Sequence, residues 1–223
     1  LLDQNTYEVH GIKEESFSTI NFINKIKKLK PDIIINTLRI LVEPSKKNPE
    51  KALYINSYLP KIMEKMLFDS KIKIIHLSSD CVFSGDKGNY SETNIPDGDS
   101  IYGITKFCGE IVNEKDLTIR ASYIGPTNRD VKEELFDWVL RQNGITKGYA
   151  NALWNGITTL ELAKQVHQAI RNNICGLYHL CSNETISKYE LLLLIKKYWQ
   201  LKAIKIEKSI SPRIDRSLLD NRK

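Results

Sequence analysis

The chain has 223 residues, with 33 lysines and arginines against 27 aspartates and glutamates, so its formal net charge is +6. Hydrophobic residues make up 41% and charged residues 27%, which excludes a disordered chain, a collagen-like repeat and a disulfide-rich miniprotein. The basic excess is small and spread along the chain, so we expect no nucleic-acid partner. The most apolar run, Leu191 to Ile195, is far shorter than the ~18 residues of a spanning helix, so we expect no membrane segment.

The four cysteines are Cys81, Cys108, Cys175 and Cys181, and the chain contains no C-x-x-C pair and no Cys/His cluster. Structural zinc sites need such spacings, so we expect no metal. Free thiols are typical of a reducing compartment, which predicts a cytoplasmic protein.

Short apolar runs alternate with longer amphipathic stretches along the chain. Pro60 lies inside one helical stretch and predicts a kink or two helices there. Residues 80–100 are polar and rich in turn formers, which predicts a long loop. The predicted strands cover residues 7–12, 33–35, 73–77, 117–120 and 177–180, and the predicted helices cover residues 18–29, 49–68, 101–113, 133–142, 159–171 and 188–199.

This alternation predicts an α/β fold with a parallel sheet and helices on both faces. Ligands of such sheets bind beyond the carboxyl ends of the strands. The candidate site residues are therefore those that follow Ile35, Leu77 and Arg120.

A tyrosine and a lysine four residues apart, Tyr102 and Lys106, stand at the head of a predicted helix and share one helix face. A nearby ammonium favours the phenolate, so such a tyrosine can give and take a proton near neutral pH. Ser79 follows the preceding strand, and its hydroxyl can hydrogen-bond the same substrate carbonyl. The same spacing occurs at Tyr198 and Lys202, but no serine-bearing strand end precedes it, so we interpret that copy as packing residues.

At these residues the chain resembles the extended short-chain dehydrogenase/reductases, and within them the dTDP-4-dehydrorhamnose reductase branch. The segment Ser78–Gly85 resembles that branch's Ser-Thr-Asp-Tyr-Val-Phe-x-Gly, and Thr118–Gly125 and Ser217–Arg222 resemble its substrate-side strand and closing segment. The resemblance implies a Rossmann-like doubly wound parallel sheet over residues 1–125. It also implies a mixed region over residues 126–223, mainly a small lobe that binds a sugar nucleotide.

The resemblance further implies NADP or NAD as cofactor and a nucleotide-linked 4-keto-6-deoxy sugar as substrate, and it leaves a homodimer open. Tyr102 would protonate the new alkoxide, Lys106 would hold the cofactor ribose, and Ser79 would orient the carbonyl. The implied cofactor-binding residues are Asn36, Thr37, Leu38, Arg39, Tyr102, Lys106 and Lys13, and the implied substrate-binding residues are Ser79, Asp80, Cys81 and Tyr123.

The family's glycine-rich phosphate loop is absent from the sequence, because the eleven glycines include no G-x-x-G-x-x-G. Residues 7–12 would correspond to the family's second strand. We therefore expect the first βα unit to precede Leu1.

Cys81 stands where the family has a tyrosine, and it leaves two interpretations open. A small buried filler is one. The other is an acid/base of a bifunctional 3,5-epimerase/4-reductase, since the synthases that make GDP-fucose carry a similar cysteine; their partnering histidine has no counterpart between Tyr123 and Trp138. A non-catalytic regulatory subunit of the same fold is a further alternative. A 4,6-dehydratase is disfavoured because Cys81 follows Asp80 where that class has Glu.

Overall fold

The computed structural model describes residues 7–12, 19–127 and 134–219. These residues form two compact units, which we call unit 1 and unit 2. Unit 1 consists of the described residues of Leu1–Ser78, Ser100–Ile119 and Ala163–Leu177, and unit 2 of those of Ser79–Asp99, Arg120–Leu162 and Tyr178–Lys223. The predicted domain boundary after residue 125 stays a prediction.

The described helices and strands alternate through most of the chain. The α-helices are α1 (Thr19–Leu29), α2 (Val42–Lys47), α3 (Pro49–Ala52), α4 (Leu59–Leu67), α5 (Ile101–Cys108), α6 (Leu135–Leu140), α7 (Thr159–Arg171) and α8 (Lys188–Tyr198). The strands are β1 (Ile33–Asn36), β2 (Lys73–Leu77), β3 (Leu117–Ala121), β4 (Tyr123–Ile124), β5 (Gly144–Tyr149), β6 (Ala152–Trp154), β7 (Ile157–Thr158), β8 (Gly176–Leu180), β9 (Ile186–Ser187), β10 (Ile204–Ser209) and β11 (Ile214–Asp215).

The main sheet has the strand order β1-β2-β3-β8. β2 pairs in parallel with β1 and with β3, and Ile75 lies opposite both Ile35 and Leu117. Every residue of β2 and β3 is buried, as expected for strands that helices cover on both faces. The predicted Rossmann-like fold is therefore confirmed.

The predicted strand at residues 7–12 is wrong, because the described backbone there is irregular. Val9 is 63% exposed, and His10 pairs with Glu8 rather than packing inward. A strand needs a hydrogen-bonded neighbour, and no described strand pairs with this segment.

The stretch around Pro60 consists of consecutive helical segments. A π-helical turn, Leu53–Tyr58, joins α3 to α4, and Pro60 lies in the first turn of α4. Proline has no N–H for the carbonyl of Asn56, so the ordinary i→i+4 bond cannot form there, and the chain takes a wider π-helical turn just before it. Gly109 packs against the Asn56 carbonyl, since a Cβ on Gly109 would clash with that oxygen. α5 ends at Cys108, earlier than predicted, and Gly109 caps it by donating its N–H to the carbonyl of Lys106.

Unit 1 has its apolar core between α1, α4 and the sheet. Ile23, Met63 and Ile74 are fully buried there, and Ile34 and Leu38 pack against the same cluster. The core fixes the end of β1 and the segment that follows it.

Unit 2 is built from short strands around α8. β5 pairs in parallel with β10, β6 lies between β11 and β9, and β4 pairs with β7. Ser187 caps α8 in a capping box with Glu190, and the buried residues Trp154, Leu191 and Ile195 form the core of this unit.

Candidate functional site

Helix α5 carries Tyr102 and Lys106. Ser100 caps its first turn, because its Oγ accepts a 3.0 Å hydrogen bond from the N–H of Gly103. Tyr102 is 7% and Lys106 only 1% exposed, so both lie on the buried face of the helix. The predicted pair is therefore held by the fold of unit 1 and is not a surface coincidence.

The Lys106 ammonium is deeply buried. Its Nζ donates a 2.6 Å hydrogen bond to the carbonyl of Leu77 and lies 3.3 Å from Nε2 of His76. Burial, and then the positive Arg39, lower the pKa of Lys106 to about 7, while Glu110 acts in the opposite direction. Lys106 thus changes its charge near neutral pH.

His76 is a residue that the sequence analysis did not select. It lies in β2, is fully buried, and stands directly opposite Asn36 in the β1–β2 register. Its Nδ1 lies 2.9 Å from Nδ2 of Asn36. Burial and the neighbouring Lys106 lower the pKa of His76 well below its ordinary value, so the ring is neutral. A sequence signal for His76 exists: candidate site residues follow both predicted strands, β1 and β2, so parallel pairing of these strands would place His76 beside Asn36.

The predicted cofactor segment, Asn36 to Arg39, follows β1. Oδ1 of Asn36 accepts a 3.2 Å hydrogen bond from the N–H of Leu38, which fixes a tight turn there. Thr37 is exposed and Arg39 is half-buried, and the positive charge of Arg39 lowers the pKa of Lys106. The structure therefore connects Asn36 to Lys106 through His76 and places Arg39 where its charge acts on Lys106, whereas Lys13 lies outside the described residues.

In unit 2, Ser79, Asp80 and Cys81 form a compact turn. Oγ of Ser79 accepts from the N–H of Cys81 at 3.1 Å and donates to Oδ1 of Asp80 at 3.0 Å. The guanidinium of Arg216 lies 3.8 Å from Sγ of Cys81. Burial, and then the Asp80 carboxylate, raise the pKa of the Cys81 thiol to about 12, so it stays protonated at neutral pH.

Unit 2 also contains a cavity of about 160 Å³. The indole N–H of Trp154 donates a 2.8 Å hydrogen bond to Oγ of Ser122, and Nζ of Lys188 lies 4.8 Å from the centre of the indole ring. Burial lowers the pKa of Lys188 and Asp80 opposes that effect. The predicted residue Tyr123 lines this cavity, as does Trp154; sequence analysis missed Lys188 and Phe136 as lining residues.

A comparison with known protein families identifies the family of this chain. A family model described as the RmlD substrate binding domain matches residues 2–217. The chain belongs to the RmlD substrate-binding domain family.

Solved structures related to this family share the fold. A hypothetical dTDP-4-dehydrorhamnose reductase from Sulfolobus tokodaii superposes with a TM-score of 0.78 at 25% identity, covering 95% of this chain and 81% of that one. The dTDP-4-dehydrorhamnose reductase of Bacillus anthracis, solved in complex with NADP, gives 0.86 at 18% identity, covering 99% and 84%. At that lower identity the likeness concerns the fold alone.

A curated relative is a probable low-salt glycan biosynthesis reductase from Haloferax volcanii. It is 32% identical over 108 residues, which are 46% of this chain and 36% of that protein. The match therefore spans about a third of the relative's length. Within the described ranges, no helix has the length and apolarity that crossing a membrane requires.

Proposed function

We propose that the protein reduces a nucleotide-linked 4-keto-6-deoxy sugar with NADP or NAD as cofactor. The observation that carries this proposal is the buried Lys106 four residues after Tyr102 on one helix face, hydrogen-bonded to the carbonyl at the end of β2. Burying an ionisable amine is costly, so such a residue indicates function rather than packing.

The residues present fit a nicotinamide dinucleotide. Asn36 to Arg39 leave the carboxyl end of a parallel strand, where ligands of this architecture bind. Arg39 offers a cation for a phosphate, and Nζ of Lys106 offers donors for ribose hydroxyls. When bound, the cofactor supplies the hydride that reduces the ketone. We propose Lys13 as a further phosphate contact.

Tyr102 is the proposed proton donor to the alkoxide formed at the sugar C4. Lys106 tunes it, because a charged lysine on the same helix face favours the phenolate that remains after proton transfer. Ser79 is proposed to hydrogen-bond the substrate carbonyl, with Asp80 orienting the serine hydroxyl.

The cavity of unit 2 is the proposed substrate site. Trp154 and Tyr123 offer aromatic faces, and Lys188 offers a cation, which together suit a base and a diphosphate. The protonated state of Cys81 favours the filler interpretation over the epimerase, because a thiol must ionise before it can remove a proton.

Two further predictions complete the proposal. The described cysteines are all free thiols, which supports a cytoplasmic location. A homodimer is the assembly proposed, and sedimentation at equilibrium measures it directly.

The test is the reduction of a panel of nucleotide-linked 4-keto-6-deoxy sugars, followed by the loss of reduced-nicotinamide absorbance. Tyr102→Phe is expected to lower kcat by ~10² to 10⁴, the usual contribution of a general acid. Tyr198→Phe is the matched control, since Tyr198 begins the second Y-x-x-x-K and is 71% exposed. Equal rates in both variants would contradict the assignment, and no reduction of any sugar by the wild type would favour the non-catalytic subunit.

A further inference from the structure

The contacts of His76 and Asn36 define which imidazole nitrogen carries the proton. A neutral imidazole has one donor and one acceptor nitrogen. Oδ1 of Asn36 is occupied by the N–H of Leu38, so the Asn36 group that faces His76 is the amide N–H₂. Nδ1 of His76 must therefore accept, which leaves the proton on Nε2.

That proton faces Lys106. Nε2 of His76 lies 3.3 Å from Nζ of Lys106, and an ammonium has donors only, so a charged Lys106 cannot accept from an Nε2–H group. An uncharged amine has a lone pair for it and still donates to the carbonyl of Leu77. The hydrogen-bond pattern is complete only when Lys106 is neutral.

His179, in unit 2, provides the opposite case. Its Nδ1 lies 3.0 Å from the carbonyl oxygen of Tyr90, which can only accept, so Nδ1 carries the proton. Its Nε2 then accepts from the guanidinium of Arg120 at 3.4 Å. His179 thus turns a lone pair toward the neighbouring cation, and Asn36 prevents His76 from doing the same.

We infer that His76 is a positioning residue that favours the uncharged amine of Lys106, and that Asn36 fixes the imidazole tautomer on which this depends. Charging Lys106 requires His76 to move its proton to Nδ1 and the Asn36 amide to turn over. That movement breaks the hydrogen bond between Asn36 and the N–H of Leu38. The charge of Lys106 is therefore linked to the conformation of the proposed cofactor segment.

Other charges act on this network from the elements packed around it. Arg39 after β1 disfavours a charged Lys106 and Glu110 after α5 favours it. Lys61 of α4 disfavours a charged His76, and Tyr102 lies on the same helix as Lys106. These groups set the pH at which Lys106 changes charge, whereas the Asn36–His76 pair sets which tautomer accompanies each state.

The inference rests on the proposed function and deepens it, because the charge by which Lys106 would favour the Tyr102 phenolate is the charge that the Asn36–His76 pair disfavours. Its test reads the side chains directly and needs neither substrate nor cofactor. A lack of reductase activity would therefore count against the proposed function and leave this inference standing.

The experiment is long-range ¹H–¹⁵N NMR of the imidazoles together with ¹³C NMR of the lysine Cε atoms between pH 5 and 10. The chain has four histidines, and His76→Gln and Lys106→Met assign the two signals. We expect His76 in the Nε2–H form and His179 in the Nδ1–H form at neutral pH, with Lys106 titrating near pH 7.

Asn36→Asp reverses the tautomer of His76, because a carboxylate only accepts hydrogen bonds and so draws the His76 proton to Nδ1. We expect the Nδ1–H form in this variant and a Lys106 midpoint higher by at least about one pH unit. Thr37→Asp is the charge control, because it adds the same negative charge at the adjacent, exposed position. This variant should keep His76 in the Nε2–H form.

An Nδ1–H form of His76 in the wild type would overturn the inference, as would an unchanged Lys106 midpoint in Asn36→Asp. If Asn36→Asp fails to fold, the wild-type tautomer decides alone: Nε2–H supports the inference and Nδ1–H refutes it.

Discussion

Nζ of Lys106 donates a 2.6 Å hydrogen bond to the main-chain carbonyl of Leu77, the last residue of β2. The bond ties the helix that carries the proposed proton donor to the end of a fully buried strand. Lys106 is therefore positioned by the fold itself, at the cost of burying an ionisable amine.

That cost predicts how stability depends on pH. Burial lowers the pKa of Lys106 from the ordinary 10.5 to about 7, so between these values the folded chain binds fewer protons than the unfolded chain. The free energy of unfolding therefore gains a contribution from Lys106 that rises from pH 7 to pH 10.

Lys106→Met removes this contribution, so the stability of the variant relative to the wild type should fall steadily across that interval. Urea unfolding at several pH values measures it. Lys202→Met, at an exposed lysine, is the control and should track the wild type. A constant difference between Lys106→Met and the wild type would contradict the lowered pKa.

Cys81 should be chemically inert. Burial and the Asp80 carboxylate raise the pKa of its thiol to about 12, and only the thiolate reacts with alkylating agents. We expect iodoacetamide at pH 7 to modify Cys81 at least ~100-fold more slowly than exposed Cys108, because so little thiolate is present. Peptide mass spectrometry gives both rates in one sample. Equal rates would favour the interpretation of Cys81 as the acid/base of an epimerase.

Trp154 should contribute to substrate binding. Its indole lines the cavity of unit 2, bonded to Ser122 and covered by Lys188. Trp154→Phe removes the N–H donor and part of the stacking face, so we expect KM for the nucleotide sugar to rise ~10-fold with little change in kcat. Trp199→Phe, at a tryptophan that is 54% exposed, is the control. An unchanged KM in Trp154→Phe would place the substrate elsewhere.

Tyr90 should stabilise the long loop of unit 2. Its buried hydroxyl accepts hydrogen bonds from the N–H groups of Gly85 and Lys87, and its ring stacks on Phe83. Tyr90→Phe leaves those donors unpaired, which costs ~1–3 kcal/mol of unfolding free energy. Tyr149→Phe, at a half-exposed strand end, should cost far less in the same denaturation assay.

Sequence periodicity was sufficient for the elements of the main sheet. β2 and β3 are short, mostly apolar runs between helices, and α7 has the predicted bounds, Thr159–Arg171. Most strands of unit 2 were missed. Strands of two or three residues such as β4 and β6 are too short to carry a periodic signal, but the six-residue strands β5 and β10 were missed as well.

The proposed site divides in the same way. Tyr102 and Lys106 were predictable because their helical spacing is local. The role of His76 was not predictable, because it depends on the contact with Asn36, which lies 40 residues earlier in the sequence and opposite His76 in the sheet. Lys188 and Trp154 likewise meet only through the packing of α8 on β6.

The most direct test of the proposed reaction is the fate of deuterium carried by the reduced nicotinamide. The account predicts that the product sugar gains one deuterium at C4, and that a parallel reaction in deuterated water with unlabelled cofactor gives none at C3 or C5. Mass spectrometry of the product distinguishes the positions. Product formed without deuterium at C4 would contradict hydride transfer, and solvent deuterium at C3 or C5 would contradict the inert Cys81.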